Sequence, residues 1–106
     1  MRQFASLRRR SEFNRLRQRG RRIVCGVLTL YRTDAFASDE RSVVGITVGK
    51  QVGNAVVRNR VRRRIAAILH DVLKGRRMRL LVVVRPEAAE APFAQLQRDV
   101  ERALAR

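Results

Sequence analysis

Between positions 53 and 64 the chain reads Gly-Asn-Ala-Val-Val-Arg-Asn-Arg-Val-Arg-Arg-Arg, which places five arginines within seven residues, with Asn59 among them and Lys50 just upstream. Guanidinium groups at this density suit one chemistry above others: they grip phosphate bidentately and stack on planar bases. Val57, Val61, Ile65, Ile68 and Val72 recur at helical spacing through the same stretch, and Asn54 is a strong N-cap. A helix is therefore predicted from Asn54 to about Lys74, with Gly75 to end it. At 100° per residue the five apolar side chains span an arc of about 80°, with Arg58 and Arg62 at about 100° and 140° from Val57, Asn59 and Arg63 at about 200° and 240°, and Arg60 and Arg64 at about 300° and 340°. Both flanks and the outer face of this helix are thus basic. No Asp or Glu stands three or four positions from any of these arginines, so they repel one another by tenths of a kcal/mol per pair until a polyanion neutralises them. The apolar stripe is Val and Ile, the filling of a globular core, and lacks the Trp or Phe of a helix lying on a membrane.

Other residues offer less chemistry. His70 and Asp71 are adjacent, but consecutive helical residues diverge by about 100°, so they do not form a general-base pair. Cys25 is the only cysteine and sits among apolar residues, which makes it a packing residue. The nine carboxylates are scattered and absent from residues 41–70, so a nuclease built on protein-held metals is rejected. Two of the five aromatic residues, Phe13 and Tyr31, fall in basic surroundings where stacking on single-stranded nucleic acid is worth about 1–3 kcal/mol per base. Phe4, Phe36 and Phe93 are assigned to terminus, loop and core.

The elements that must position these groups are few. A chain of 106 residues with 45% hydrophobic content fits a single domain over residues 1–106, and no repeat, linker or low-complexity tract divides it. Its net charge of +16, with 23 of 25 basic residues Arg, points to a nucleic acid or an anionic surface. No run approaches the roughly 18 apolar residues of a spanning helix and the N-terminus lacks a secretory core, so a cytoplasmic protein with no membrane partner is expected. Ser11 is read as the cap of a short helix closed by Gly20, with Phe13 and Leu16 on its apolar side. Residues 23–31 read as one strand carrying Ile23, Cys25, Val27, Thr29 and Tyr31 on one face, and residues 43–48 as a second strand paired antiparallel to it. Residues 80–84 form a continuous apolar run that suits a strand covered on both faces, ended by Pro86. Pro92 opens a last helix that buries Phe93, Leu96, Val100 and Leu104. The order α β β α β α gives an α+β class, an α–β sandwich with a small mixed sheet and a βαβ crossover around the Arg-rich helix.

The run Gly53-Asn54-Ala55-Val56-Val57-Arg58-Asn59-Arg60-Val61-Arg62-Arg63, preceded by Lys50, resembles the signature of the bacterial ribonuclease P protein subunit, and the resemblance extends over roughly residues 7–104. It implies an α–β sandwich with a left-handed crossover, a handedness that general rules would not supply. It also implies binding of the catalytic RNA of ribonuclease P through Lys50, Asn54, Arg58, Asn59, Arg60, Arg62 and Arg63, one protein per RNA. The 5′ leader of precursor tRNA is expected on Phe13, Arg17 and Tyr31, in a cleft between sheet and first helix beside Arg15 and Arg19. The RNA would carry out the Mg²⁺-dependent endonucleolytic cut that yields mature tRNA 5′ ends, the metal being held by RNA and substrate, with no catalytic residue on the protein. Arg17, Gln51 and Ala66 depart from the family pattern, and Arg64 occupies a position usually apolar. The competing reading is a ribosomal or ribosome-assembly protein that binds rRNA.

Overall fold

The computed structural model of the chain describes residues 3–106, so that Met1 and Arg2 lie outside it. The elements are β1 (Phe4–Ser6), α1 (Arg10–Arg19), β2 (Arg21–Cys25), β3 (Leu28–Asp34), β4 (Ser42–Val48), α2 (Ala55–Val72), β5 (Met78–Val84) and α3 (Phe93–Leu104), with 3-10 turns at Lys50–Val52 and Pro86–Ala89. They build one mixed sheet in the order β1-β4-β5-β3-β2. The α+β class and the parallel β4-α2-β5 unit match the sequence expectation. The strand count and the pairing do not.

Residues 23–31 are not one strand. Gly26 adopts φ 57°, a left-handed conformation that favours glycine, and turns the chain into the β2–β3 hairpin. Asp99 of α3 fixes that turn: its Oδ2 accepts from the Val27 N–H at 3.2 Å, and a Cβ on Gly26 would lie 2.1 Å from the same carboxylate oxygen. Nor does β4 pair with the first hairpin. β4 runs parallel to β5 on one side and to β1 on the other, while β3 pairs antiparallel with β5. The physical reason is the composition of β5, whose Leu80, Leu81 and Val82 are fully buried and need cover on both faces and both edges. The added strand β1 is only three residues long, and Phe4, expected in a loose terminus, is buried in the main core.

The two faces of the sheet carry different layers. Ile23, Cys25, Leu28, Leu30, Val44, Leu80 and Val82 pack with Val61, Ile65, Ile68 and Leu69 of α2 and Leu96, Val100 and Leu104 of α3. Leu7, Leu16, Val43 and Leu81 form a smaller cluster on the opposite face, under α1. Helix α1 begins one residue before Ser11, with extended Arg9 at its N-cap and no side-chain cap, so Ser11 lies inside the first turn and cannot serve as the cap. Phe93 stands in the first turn of α3 and is 43% exposed, a correction to its core assignment; the apolar space at that end is filled by Ala88 and Ala91.

Candidate nucleic-acid interface

Helix α2 starts where the sequence placed it. Asn54 caps it, its Oδ1 accepting from the Val57 N–H at 3.0 Å. Gly53 lets the chain turn into the helix, since its φ is 153° and a Cβ there would lie 2.9 Å from the Val57 side chain. Arg60, Arg62 and Arg63 are exposed, Lys50 is exposed in the 3-10 turn before the cap, and Arg58 and Arg64 are half-buried. Among the described residues no carboxylate pairs with an α2 guanidinium; both close ion pairs involve Arg79. Two details pre-set the basic face. Arg62 donates from Nη1 to Asn59 Oδ1 at 3.0 Å, so Asn59 aims an arginine one turn on and does not tie the helix to a neighbour. Half-buried Arg58 has its Nε enclosed without a partner, a donor left for an RNA acceptor or water to satisfy.

The buried side of α2 is wider than the five-residue stripe, because Ala66, Leu69 and Leu73 also enter the core. This widening carries the buried arc round to the flank of Arg62. Arg62 and Arg63 consequently border a recess of about 260 Å³ with Phe4, Phe13, Gly45 and Ile46. The arginine helix and the first-helix aromatic, assigned separately from sequence, thus meet in one groove.

On the α1 face of the sheet the register aligns two cross-strand rows. Gly45, Leu81, Tyr31 and Arg22 form one, and Thr47, Val83, Thr29 and Val24 the next. The Phe13 ring lies directly on Gly45, with its Cε1 2.6 Å from where a Cβ would be. Phe13 and Tyr31 are half-buried and pack against the same small cluster, so each presents a ring edge or part of a face to solvent. The second row is partly open: Thr47 and Val83 are half-buried and Val24 is 38% exposed. Thr47, Val83, Thr29 and Val24 were not anticipated as site residues, although a glycine inside a strand pattern was a signal of close approach at Gly45. Exposed Arg17 lies about 40° round α1 from Phe13, on the same flank, whereas Arg15 and Arg19 line a cavity on the other flank. The expected row of three arginines is therefore split by the helix.

A family model for ribonuclease P matches residues 1–106, the whole chain. The chain belongs to the ribonuclease P protein family. It is 39% identical over 102 residues to the ribonuclease P protein component of Acidothermus cellulolyticus, covering 94% of this chain and 85% of that protein. It is 46% identical over 103 residues to the component from Thermus oshimai, covering 93% of this chain and 62% of the longer relative. A solved structure of a Staphylococcus aureus RNase P protein mutant superposes with a TM-score of 0.85 over 94% of this chain and 85% of that one, at 23% identity, and so shares the fold. Ribonuclease P is a ribonucleoprotein endoribonuclease of tRNA processing, and this chain is its auxiliary protein component, partnered by the enzyme's RNA and precursor tRNA.

Within the ribonuclease P pattern the departures have distinct places. Gln51 and Arg17 are exposed, and Arg64 is half-buried with its guanidinium free of carboxylates. Ala66 is buried and borders the recess beside Arg62 and Arg63, so its small side chain helps to open that groove. His70 is engaged as an acceptor: its Nδ1 receives the Gln3 N–H at 3.1 Å, which docks the β1 end of the chain against α2. Cys25 is buried in the core, as expected. No described helix is long and apolar enough to cross a membrane.

The loop between β3 and β4 is ordered by one arginine. Arg79 donates to Asp39 through Nε and Nη2 at 2.9 and 3.0 Å, lies 3.7 Å from Glu12, and stacks its guanidinium 3.8 Å from the Phe36 ring centroid. Asp39 also accepts the Phe36 N–H at 2.8 Å. The Arg79 hydrogen bonds hold the Asp39 carboxyl below the usual aspartate range, against an opposing push from burial, with further help from the Phe36 N–H and the charges of Arg79 and Arg77. The same pairing makes the Arg79 guanidinium hold its proton more tightly.

Proposed function

We propose that the chain assists ribonuclease P by two surfaces: α2 with Lys50 grips the catalytic RNA, and the sheet face beside α1 carries the 5′ leader of precursor tRNA. The observation that carries this reading is the unpaired arginine face of α2, which meets the α1 face at the groove shared by Arg62, Arg63 and Phe13. Asn54, Arg58, Asn59, Arg60, Arg62 and Arg63 would neutralise and position phosphates of the RNA, and the sequence-tolerant stacking surface of Phe13 and Tyr31, with Arg17 for the backbone, would hold a leader of any sequence. Charge neutralisation and strand alignment are the protein's part in catalysis. Mg²⁺, held by the RNA and substrate, would supply charge stabilisation for the phosphodiester cut. The described residues do not fit a protein-held ion, since no three of their His, Cys, Asp or Glu side chains converge.

The test is cleavage of precursor tRNA by the RNA alone, the protein alone and the reconstituted enzyme. Cleavage by the RNA that is enhanced by the protein, with none by the protein alone, supports the reading. Cleavage by RNA-free protein overturns it. Arg17→Ala should then weaken holoenzyme binding of precursor tRNA while leaving mature tRNA unchanged; an equal effect on both removes Arg17 from the leader surface.

A further inference from the structure

The flank of α1 that faces away from the leader surface carries a second built feature. A cavity of about 490 Å³ opens there, bordered by Arg15 and Arg19 of α1, Thr33 of β3, and Phe36 with Arg79 beneath it. Its one carboxylate, Glu12, is already paired with Arg79. Arg15 and Arg19 are exposed and neither is paired with a carboxylate, and they stand one helical turn apart on the same side of α1. Phe36 is 38% exposed, and it is not a loose loop residue. Its ring rests on the Arg79 guanidinium, its N–H is held by Asp39, and its carbonyl accepts from Arg77 Nη2 at 2.9 Å. The Arg15 guanidinium carbon lies over the same ring, 5.3 Å from its centroid and within cation–π range, so Arg15 rests on the platform and a base stacking there would displace it.

An aromatic ring backed by Arg79, an Arg15 guanidinium that can swing from that ring onto a phosphate, an exposed Arg19 and a volume of this size make a complementary seat for one unpaired nucleotide, the base on the ring and the phosphate on the arginines. We infer that this cavity binds an unpaired nucleotide of the ribonuclease P RNA subunit, with Phe36 as the stacking platform and Arg15 and Arg19 as the phosphate grip. The RNA subunit is favoured over the leader because the body of α1, about 10 Å across, separates the cavity from the open row of the sheet. The inference builds on the reading of the chain as an RNA-bound subunit.

The experiment is a titration of the RNA subunit with the full-length protein at one fixed salt concentration, comparing wild type, Phe36→Ala, Phe36→Trp, Arg15→Ala/Arg19→Ala and, as a reference, Arg60→Ala. Phe36→Ala should lose about 5- to 150-fold in affinity, the span expected for one stacked base. Phe36→Trp should keep it. The double arginine variant, at exposed positions that leave the fold intact, should lower the salt slope of log K by about 0.7 for each phosphate contact to a single strand. Nucleotide protection should disappear at one unpaired position of the RNA in the Phe36→Ala complex. Wild-type affinity in both Phe36→Ala and the double arginine variant, with Arg60→Ala weakened, overturns the cavity assignment alone. Wild-type affinity in all of them, Arg60→Ala included, overturns the cavity assignment and also takes Arg60 out of the RNA interface proposed for α2, whereas absence of RNA binding by the wild-type protein overturns the RNA-bound reading beneath both. A loss confined to precursor tRNA binding, with the RNA subunit unaffected, assigns the cavity to the leader and refutes the inference as stated.

Discussion

Replacing Gly45 by Ala tests whether the first-helix aromatic is positioned by the bare backbone beneath it. The new Cβ would lie 2.6 Å from Phe13 Cε1, 2.8 Å from Leu7 Cδ1 and 3.0 Å from Phe13 Cζ, whereas ordinary contact begins at 3.4 Å. The Leu7 methyl is the end of a flexible chain and can swing aside. The Phe13 ring is rigid and shares its cluster with Leu16, so making room of about 0.8 Å means tilting α1 away from the sheet. Overpacking of this kind costs about 1–3 kcal/mol. Alanine is better than glycine in a strand by roughly 0.5–1 kcal/mol, which offsets part of that cost. The expected result is a net loss of about 0.5–2 kcal/mol, read as a lower midpoint in urea with an unchanged slope. In a double-mutant cycle, Gly45→Ala should cost little once Phe13→Ala has removed the ring, giving a coupling of about 1 kcal/mol or more. In the holoenzyme the same change should weaken precursor tRNA more than mature tRNA. A cycle that closes additively, with Gly45→Ala equally costly in both backgrounds, would show that Phe13 is not the obstacle and that the ring does not depend on the glycine.

Three further outcomes are expected. Arg60→Ala should leave the melting temperature nearly unchanged, since Arg60 is exposed and Ala is the best helix former, while weakening RNA binding and reducing the salt slope by about 0.7–0.9; an unchanged slope places the RNA elsewhere. Val61→Asp should unfold the protein at room temperature, because Val61 is 1% exposed and an unpaired charge there has no partner, and a cooperative melt close to wild type would contradict the assigned core. Asp39→Asn should cost about 1–3 kcal/mol at neutral pH by leaving the enclosed Arg79 short of its acceptor. The native Asp39 carboxyl titrates below its ordinary value of 3.8, so its contribution is complete above that value and lost as pH falls through the lowered one. The gap between wild type and Asp39→Asn should close in that acid window, and a gap constant down to the lowest pH would refute the pairing.

The sequence made some of this legible because local physics alone decided it. Asn54, the apolar spacing from Val57 to Ile68 and Gly75, whose φ is 71°, marked α2 within two residues of its observed ends. What remained hidden was set by distant partners. Gly26 turns a stretch that alternates like one strand, but the carboxylate that stabilises the turn is Asp99, 72 residues away from Val27. Nothing local told that β5 would separate β3 from β4, since pairing order is decided by which strand most needs cover. Tyr31 and Thr29 do share a face, as read, but Ile23 and Cys25 lie on the opposite face, against α2 and α3, and Val27 lies in the turn. Asn59 bonds Arg62 one turn ahead, within the reach of an i, i+3 rule that the sequence reading applied only to charges. Helix geometry alone separates Phe13 and Arg17 from Arg15 and Arg19, yet the sequence reading set all three arginines beside the leader, and the second flank acquired meaning only once Arg79 and Phe36 were placed beside it.

The position of β5 also sets a schedule for synthesis. It is the last strand to leave the ribosome and the middle strand of the sheet, with β4 on one side and β3 on the other. Until residues 78–84 emerge, the β1–β4 pair and the β2–β3 hairpin have no shared edge, and each exposes an unpaired strand. At translation rates of about 5–20 residues per second, the nascent chain therefore spends seconds as a basic polymer with two open half-sheets. Closure then needs α3 as well, because Asp99 completes the hairpin turn and the Leu104 carbonyl receives Arg32 and Arg76. A polyanion present during that interval would meet the arginines of α2 before the sheet is finished, so the order of folding and RNA capture in the cell is open to kinetic control by the speed of decoding beyond residue 77.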